Sequence, residues 1–487
     1  MALWHSWESR ALFGDGAAFF ISIVHQQSPM HFYPARDFAM VASQLPLMSA
    51  LLLGVTDLHW LARVLSFGMF ALPTFFYHLA LLHAREDAAL LAAVIIAIAA
   101  VFMTTSFNIA GEHNTAYAVA ILAAVLLASN KRPSVVDGLL LAAVATFALR
   151  VYETFVFFGP LFAIKSVWLV RRGPWPGIGS AGSPLLRGVL LVSLIVAVTA
   201  ISLIGAYAVF VPVGAVLVGS ATWALTRASA RPLLANGLYM LAAALFVASA
   251  SVAGQSLITY VGPVRLEETL QSSQEFWWNT QFDLAVGTVL AAFVWALAFP
   301  EDLKAVKFYL WASVGPVLLA LSPLLALVDG ELGPLPVPQG DARIVAGLVV
   351  LATILFMWTY RSESDRRPKA LVVLRTPVAA CRLARWALLI LVASVPYDVI
   401  LTSAGSAFLQ TMQSTIRDRS GLIAFEDTPL AAPPFVFLHD AHSLPSLSLA
   451  LRSRPTDGIV LPDRDYTGFV AMDPRNPPDL GRYFWRD

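Results

Sequence analysis

Four groups of residues along this chain carry side chains suited to chemistry. The first is Gly14-Asp15-Gly16 with His25, His31, Tyr33, Arg36 and Asp37 after it; the second runs from Asn108 to Asn114 and sets Glu112 beside His113. The third is Arg150, Tyr152 and Glu153. The fourth is Arg265, Glu267, Glu268 and Glu275 with Trp277 and Trp278, followed further on by Asp341 and Arg343. A carboxylate next to an imidazole can accept or deliver a proton, or ligate a cation. Arginine presents a planar fork of donors that fits phosphate. Plainer explanations stand beside each group. A solvated loop collects the residues of the first, and helix caps favour Asn and Glu at the second. An ion pair or cap would stabilise a tight helical hairpin at the third. Tryptophans at the fourth suit an aromatic belt, and Asp341 can simply neutralise Arg343. No Gly-rich nucleotide loop, zinc-protease helix or nucleophile elbow stands in the sequence. Any chemistry must therefore come from carboxylates, imidazoles and guanidinium groups.

The elements that must position these groups are apolar helices. Of 487 residues, 58% are hydrophobic and only 13% charged, and the mean hydropathy is +0.71. Soluble domains carry about 25% charged residues. Lys and Arg, 32 in all, balance 31 Asp and Glu, so no excess positive charge supports a nucleic-acid partner. One cysteine, Cys381, permits neither an internal disulfide nor a cysteine metal cage. A bilayer core about 30 Å thick takes roughly 20 apolar helical residues. Runs of that kind fall at 61–82, 88–104, 115–129, 135–149, 154–170, 188–204, 207–225, 233–253, 283–299, 308–328, 342–360 and 386–404. The expected fold is an all-α polytopic membrane protein with about twelve transmembrane helices.

Loop charges orient these spans, because Lys and Arg are retained in short cytoplasmic loops. Taken alternately, one set of loops holds Arg85, Lys131, Arg132, Arg171, Arg172, Arg187, Arg227, Arg231, Lys304, Lys307 and the run from Arg361 to Arg385, and reads as cytoplasmic. The other set holds Glu112 and His113, Arg150 to Glu153, the loops 254–282 and 329–341 and the tail after Gly405, and reads as outward facing. Residues 1–60 form an extracytoplasmic or juxtamembrane segment, 61–404 the multi-helix domain, and 405–487, rich in Pro, Asp and Arg, a small extracytoplasmic appendage. Residues 1–13 contain neither a signal peptide nor a span. Either 38–56 cross the bilayer and leave Asp15 in the cytoplasm, or a further helix precedes Met1 and Asp15 lies outside; the second alternative is preferred.

The outward groups resemble those of the GT-C superfamily of membrane glycosyltransferases, which use a polyprenyl-phosphate sugar donor. The resemblance rests on Asp15 in the stretch Leu12 to Phe20, on Arg36 followed by Gln44-Leu45-Pro46, and on Glu112 as a second outward acid. It implies that Asp15, just after a first transmembrane helix, acts as base or orients the acceptor. Glu112, with His113, would be the second acidic element. Arg36, Arg150 and Arg343 would hold the donor phosphate, with Tyr152, Glu153 and Arg265 as further substrate-binding candidates. The implied reaction is an inverting transfer to a lipid or glycan acceptor, with a divalent cation as an option and no certain cofactor. The implied setting is a bacterial inner membrane with the site facing the periplasm. Two other readings use similar residues: a lipid-linked polysaccharide polymerase or ligase with a histidine base, and a transporter or flippase, which needs charges near mid-membrane on broken helices.

Overall fold

The computed structural model describes residues 1–31, 33–103, 111–129, 133–172, 231–262, 342–361, 374–432, 435, 443–463, 466 and 478–486. The described chain is predominantly helical. It opens with α1 (Ala2–Trp7), a 3-10 turn at Arg10–Leu12 and α2 (Gly16–Gln26). A second 3-10 turn at Pro34–Arg36 leads into α3 (Asp37–Leu52) and the long α4 (Leu58–Ala84). There follow α5 (Ala88–Ala97), which continues as a π-helical turn Ile98–Phe102, then α6 (Glu112–Ser129), α7 (Val135–Ala148) and α8 (Phe155–Arg172). Next come α9 (Arg231–Ser256) with a π-helical end at Leu257–Val261, α10 (Ala342–Arg361) and α11 (Pro377–Asp418). The tail holds β1 (Leu422–Ala424), α12 (Leu444–Ala450) and β2 (Ile459–Leu461), with the two strands paired in parallel.

Eight of the apolar runs expected from the sequence coincide with α4 to α11; those at 188–204, 207–225, 283–299 and 308–328 lie outside the described residues. Among the described residues three helices are long and apolar enough to cross a membrane: Leu58–Ala84, Leu234–Val261 and Pro377–Asp418. Their ends follow local chemistry. The Asp57 side chain accepts from His59 N, Asp87 accepts from Ala89 N and Leu90 N, and Ser134 Oγ accepts from Asp137 N. Each satisfies backbone donors that the first helical turn leaves without an intrahelical partner. Thr376 does the same for α11, with Pro377 at the first helical position, where a missing N–H costs nothing.

Packing divides the described chain into two layers. The inner layer buries α5, α6, α7, α8, α9 and α10 with the second half of α4 and the first part of α11. The outer layer buries the segment from Ala11 to Val24, most of α3, the first half of α4, the second half of α11 and the tail. Two glycines set the close crossings. A Cβ on Gly68 would lie 2.0 Å from the Ser43 carbonyl oxygen, so α3 and α4 touch backbone to backbone; one on Gly159 would lie 2.4 Å from the Phe246 carbonyl oxygen, joining α8 to α9 in the same way. Small residues at such crossings are how helices associate when lipid removes the hydrophobic drive between them.

The composition change at Gly405 does not end a helix. α11 runs through it to Asp418, because Phe408, Met412 and Ile416 repeat at four-residue spacing into the outer core. The chain end then returns to the start of α4. Leu58 N donates to Phe484 O at 3.0 Å, Arg486 N donates to Asp57 Oδ1 at 3.1 Å, and the Trp485 ring stacks on His59 with centroids 4.3 Å apart.

Candidate functional site

The polar cluster predicted from the sequence assembles where the start of α3, the α7 to α8 turn, the start of α6 and the end of α9 converge. Phe38 N donates to Arg150 O at 2.9 Å, which ties the first turn of α3 to that turn through the backbone. Pro34 presets the 3-10 turn that delivers Arg36. Arg36 Nε then lies 2.9 Å from both carboxylate oxygens of Glu153, and the Ser256 hydroxyl donates to Glu153 Oε1 at 3.4 Å. The Arg36 guanidinium sits between two aromatic rings, 4.6 Å from the Tyr33 centroid and 4.7 Å from that of Tyr152. Such stacking holds the planar cation in one orientation. Among the described residues nothing accepts a hydrogen bond from the Arg36 Nη atoms.

A second ion pair runs alongside the first. Arg150 Nη1 donates to Asp37 Oδ2 at 3.1 Å, and His31 Nδ1 lies 3.2 Å from Asp37 Oδ1. Burial opposes the charge on Arg36, but Tyr152, Glu153 and Glu112 outweigh it and raise the guanidinium above its ordinary range. Arg36 is therefore a permanent cation, and Glu112 is close enough to feel it. Glu112 occupies the first turn of α6, where the helix dipole favours an acid. His113 is buried beside it, its ring 6.1 Å from that of Tyr117 and 6.2 Å from that of Tyr152.

Thus Arg36, Arg150, Tyr152, Glu153, Glu112 and His113 come together. Asp15 belongs to the neighbouring layer. It is exposed, precedes α2 without capping it through its side chain, and follows Phe13, whose ring packs on Phe408. Ala11 N bonds Ser66 Oγ at 3.0 Å, and Asp37 lies beyond the crossing of Gly68 with Ser43. Arg265 and Asp341 lie outside the described residues, and Arg343 is in the first turn of α10 with its side chain likewise outside the description.

Among the described residues no three His, Cys, Asp or Glu side chains converge as metal ligands. Asp37 and Glu153 each face a guanidinium, which does not fit a divalent cation. At the opposite end of the inner layer, Arg361 pairs with Asp87 at 2.7 Å and His83 lies 3.8 Å from Asp137.

Sequence reasoning passed over a second polar group. His5 Nε2 lies 2.9 Å from Asp398 Oδ2, Arg10 Nη1 donates to Asp398 Oδ1 at 2.7 Å, and Thr402 Oγ1 lies 3.2 Å from His5 Nδ1, all of them buried. The signal for it was a lone acid, Asp398, inside the apolar run 386–404. Its partners come from nearly four hundred residues away, where no local pattern points. No family model, curated protein or solved structure matches the chain.

Proposed function

We propose that this protein is a GT-C type membrane glycosyltransferase (EC 2.4 class) that moves a sugar from a polyprenyl-phosphate donor to a lipid or glycan acceptor. In this reading about twelve helices span a bacterial inner membrane, and the site faces the periplasm. The observation that carries it is Arg36: a part-buried cation fixed through Nε by Glu153 and between two tyrosine rings, whose Nη atoms meet no acceptor among the described residues. That is the arrangement a departing phosphate needs. The acceptor hydroxyl attacks the anomeric carbon, the bond from that carbon to the phosphate oxygen breaks, and polyprenyl phosphate leaves with the bonding electrons. The acceptor proton passes to a carboxylate, Asp15 by the family resemblance, with Glu112 and His113 as the nearer acid and imidazole. Preorganised donors on the leaving oxygen stabilise the charge as it develops. One displacement inverts the anomeric centre.

The transporter alternative needs a charge open to a pathway. Asp398, the acid inside α11, is fully buried and bonded by Arg10 and His5, so it is not open to a pathway.

The test is turnover of a polyprenyl-phosphate sugar in proteoliposomes. Arg36→Gln combined with Glu153→Gln removes the cation without stranding a buried carboxylate, and is expected to lower kcat by about 100-fold or more. Asp15→Asn is expected to abolish transfer with thermal stability unchanged. Full turnover in both folded variants would remove the proposal.

A further inference from the structure

An exposed apolar face surrounds the first turns of α4. On α1, His5 and Ser6 turn inward, while Leu3 is 74% and Trp7 54% exposed, at the four-residue spacing that places them on one helix face. Beside them Trp60 is 51% exposed. Its ring meets that of Trp7 edge to face, with centroids 6.0 Å apart. Between the two lies Arg63, whose guanidinium carbon is 3.8 Å from the Trp7 centroid and 5.1 Å from that of Trp60. Arg63 Nε donates to Trp7 O at 3.0 Å, and among the described residues nothing accepts from its Nη atoms. Glu8 and Asp57 are the acids nearby. Glu8 accepts from Ser406, and Asp57 caps α4 and receives Arg486 N.

The length of α4 says what covers this face. Arg63 precedes Ala84, the last residue of α4, by 21 residues and Trp60 precedes it by 24, or about 32 and 36 Å at 1.5 Å per residue. A hydrocarbon core is about 30 Å thick. If Ala84 marks one surface of the bilayer, Trp60 and Arg63 stand at the other, in the headgroup zone where tryptophans and cations collect. We infer that the Leu3 and Trp7 face of α1, with Trp60 and Arg63, docks on the outer leaflet and binds the phosphodiester headgroups of its lipids. The rings enter the boundary, Leu3 reaches the acyl chains, and the Arg63 Nη donors take headgroup phosphate oxygens. The inference rests on α4 crossing the bilayer and not on sugar transfer, so the two are tested separately.

Cys381, the single cysteine and an exposed one, is replaced by serine, and spin labels are placed on Leu3→Cys, Trp7→Cys and, as a control in the tail, Ser420→Cys. The full chain is reconstituted in nanodiscs of phosphatidylethanolamine and phosphatidylglycerol, and accessibility to oxygen and to a water-soluble nickel chelate is measured by power saturation. Labels at positions 3 and 7 are expected to favour oxygen over nickel by several-fold, with the reverse at position 420. Nickel accessibility at positions 3 and 7 equal to that at 420 would overturn the inference. Shielding of both labels from both reagents would overturn it as well, by assigning the face to a second protein surface.

Discussion

Arg10 and Asp398 meet at 2.7 Å with 1% and 0% of their side chains exposed. A buried pair of this kind is held as much by the cost of breaking it as by its own attraction. Removing one partner leaves a charge without compensation, whereas replacing both with apolar groups of similar size is close to neutral. Arg10→Met is therefore expected to destabilise the fold by about 3–5 kcal/mol, and adding Asp398→Leu to restore most of that loss, as read by denaturation in one detergent. His5 adds a pH dependence. Burial holds its imidazole below the ordinary value of 6.5 and the Arg10 charge acts in the same direction, while the Asp398 carboxylate opposes without reversing the shift. The unfolded chain takes up the proton near 6.5 and the folded one only at lower pH. The contribution is complete above 6.5 and is lost as pH falls through the folded value. The Tm is expected to fall between pH 7.5 and 5.5, and to fall less in His5→Gln; equal slopes would show that His5 does not carry the effect.

The helices place these residues through a few contacts that tolerate no added atom. At the crossing of α3 and α4, a Cβ on Gly68 meets the Ser43 carbonyl oxygen at 2.0 Å. Gly68→Val must push α3 from α4, and overpacking of this kind costs about 1–3 kcal/mol. The displacement also reaches the cluster, because α3 begins at Asp37 and is bonded to the Arg150 carbonyl through Phe38. The expected signature is a lower Tm together with a raised KM for the lipid donor. A lower Tm with unchanged KM would mean that α3 does not position Arg36. Gly159 holds the other wall, where Glu153 lies in the turn just before α8 and Ser256 ends α9.

At the scale of the molecule, α11 is the longest of the described helices. Its 42 residues rise about 63 Å, twice a bilayer core of about 30 Å, and the tail packs on its second half. The last residues close the outer layer. Gln27 Nε2 donates to the Tyr483 hydroxyl at 3.2 Å, His25 Nδ1 lies 3.2 Å from Asp479 O, and Trp485 and Arg486 clamp His59 and Asp57. Deleting residues 480–487 is expected to speed amide exchange in the first turns of α4 and α2 and to leave α6 to α9 protected. Uniform deprotection would show that the two layers unfold as one unit.

Much of this was readable from the linear chain. Runs of apolar residues long enough to fill a bilayer also bury a helix, so α4 to α11 fall on runs legible in the sequence, although α11 extends well past its run at both ends. Charges at helix ends are cheaper than charges within helices, so Glu112, Arg150 and Glu153 fell where loops were expected. Composition also marked Gly405, where α11 leaves the apolar regime. It did not mark the end of that helix, because a four-residue repeat of large side chains continued to pack. The pairings themselves came from tertiary structure alone. Arg36 with Glu153, Arg150 with Asp37, and Arg10 with Asp398 are separated by 117, 113 and 388 residues. Periodicity is a local signal, and it records which face of a helix is apolar without recording which helix lies against it. The partner of each buried charge was decided by the glycine crossings and by the return of both chain ends to the outer layer.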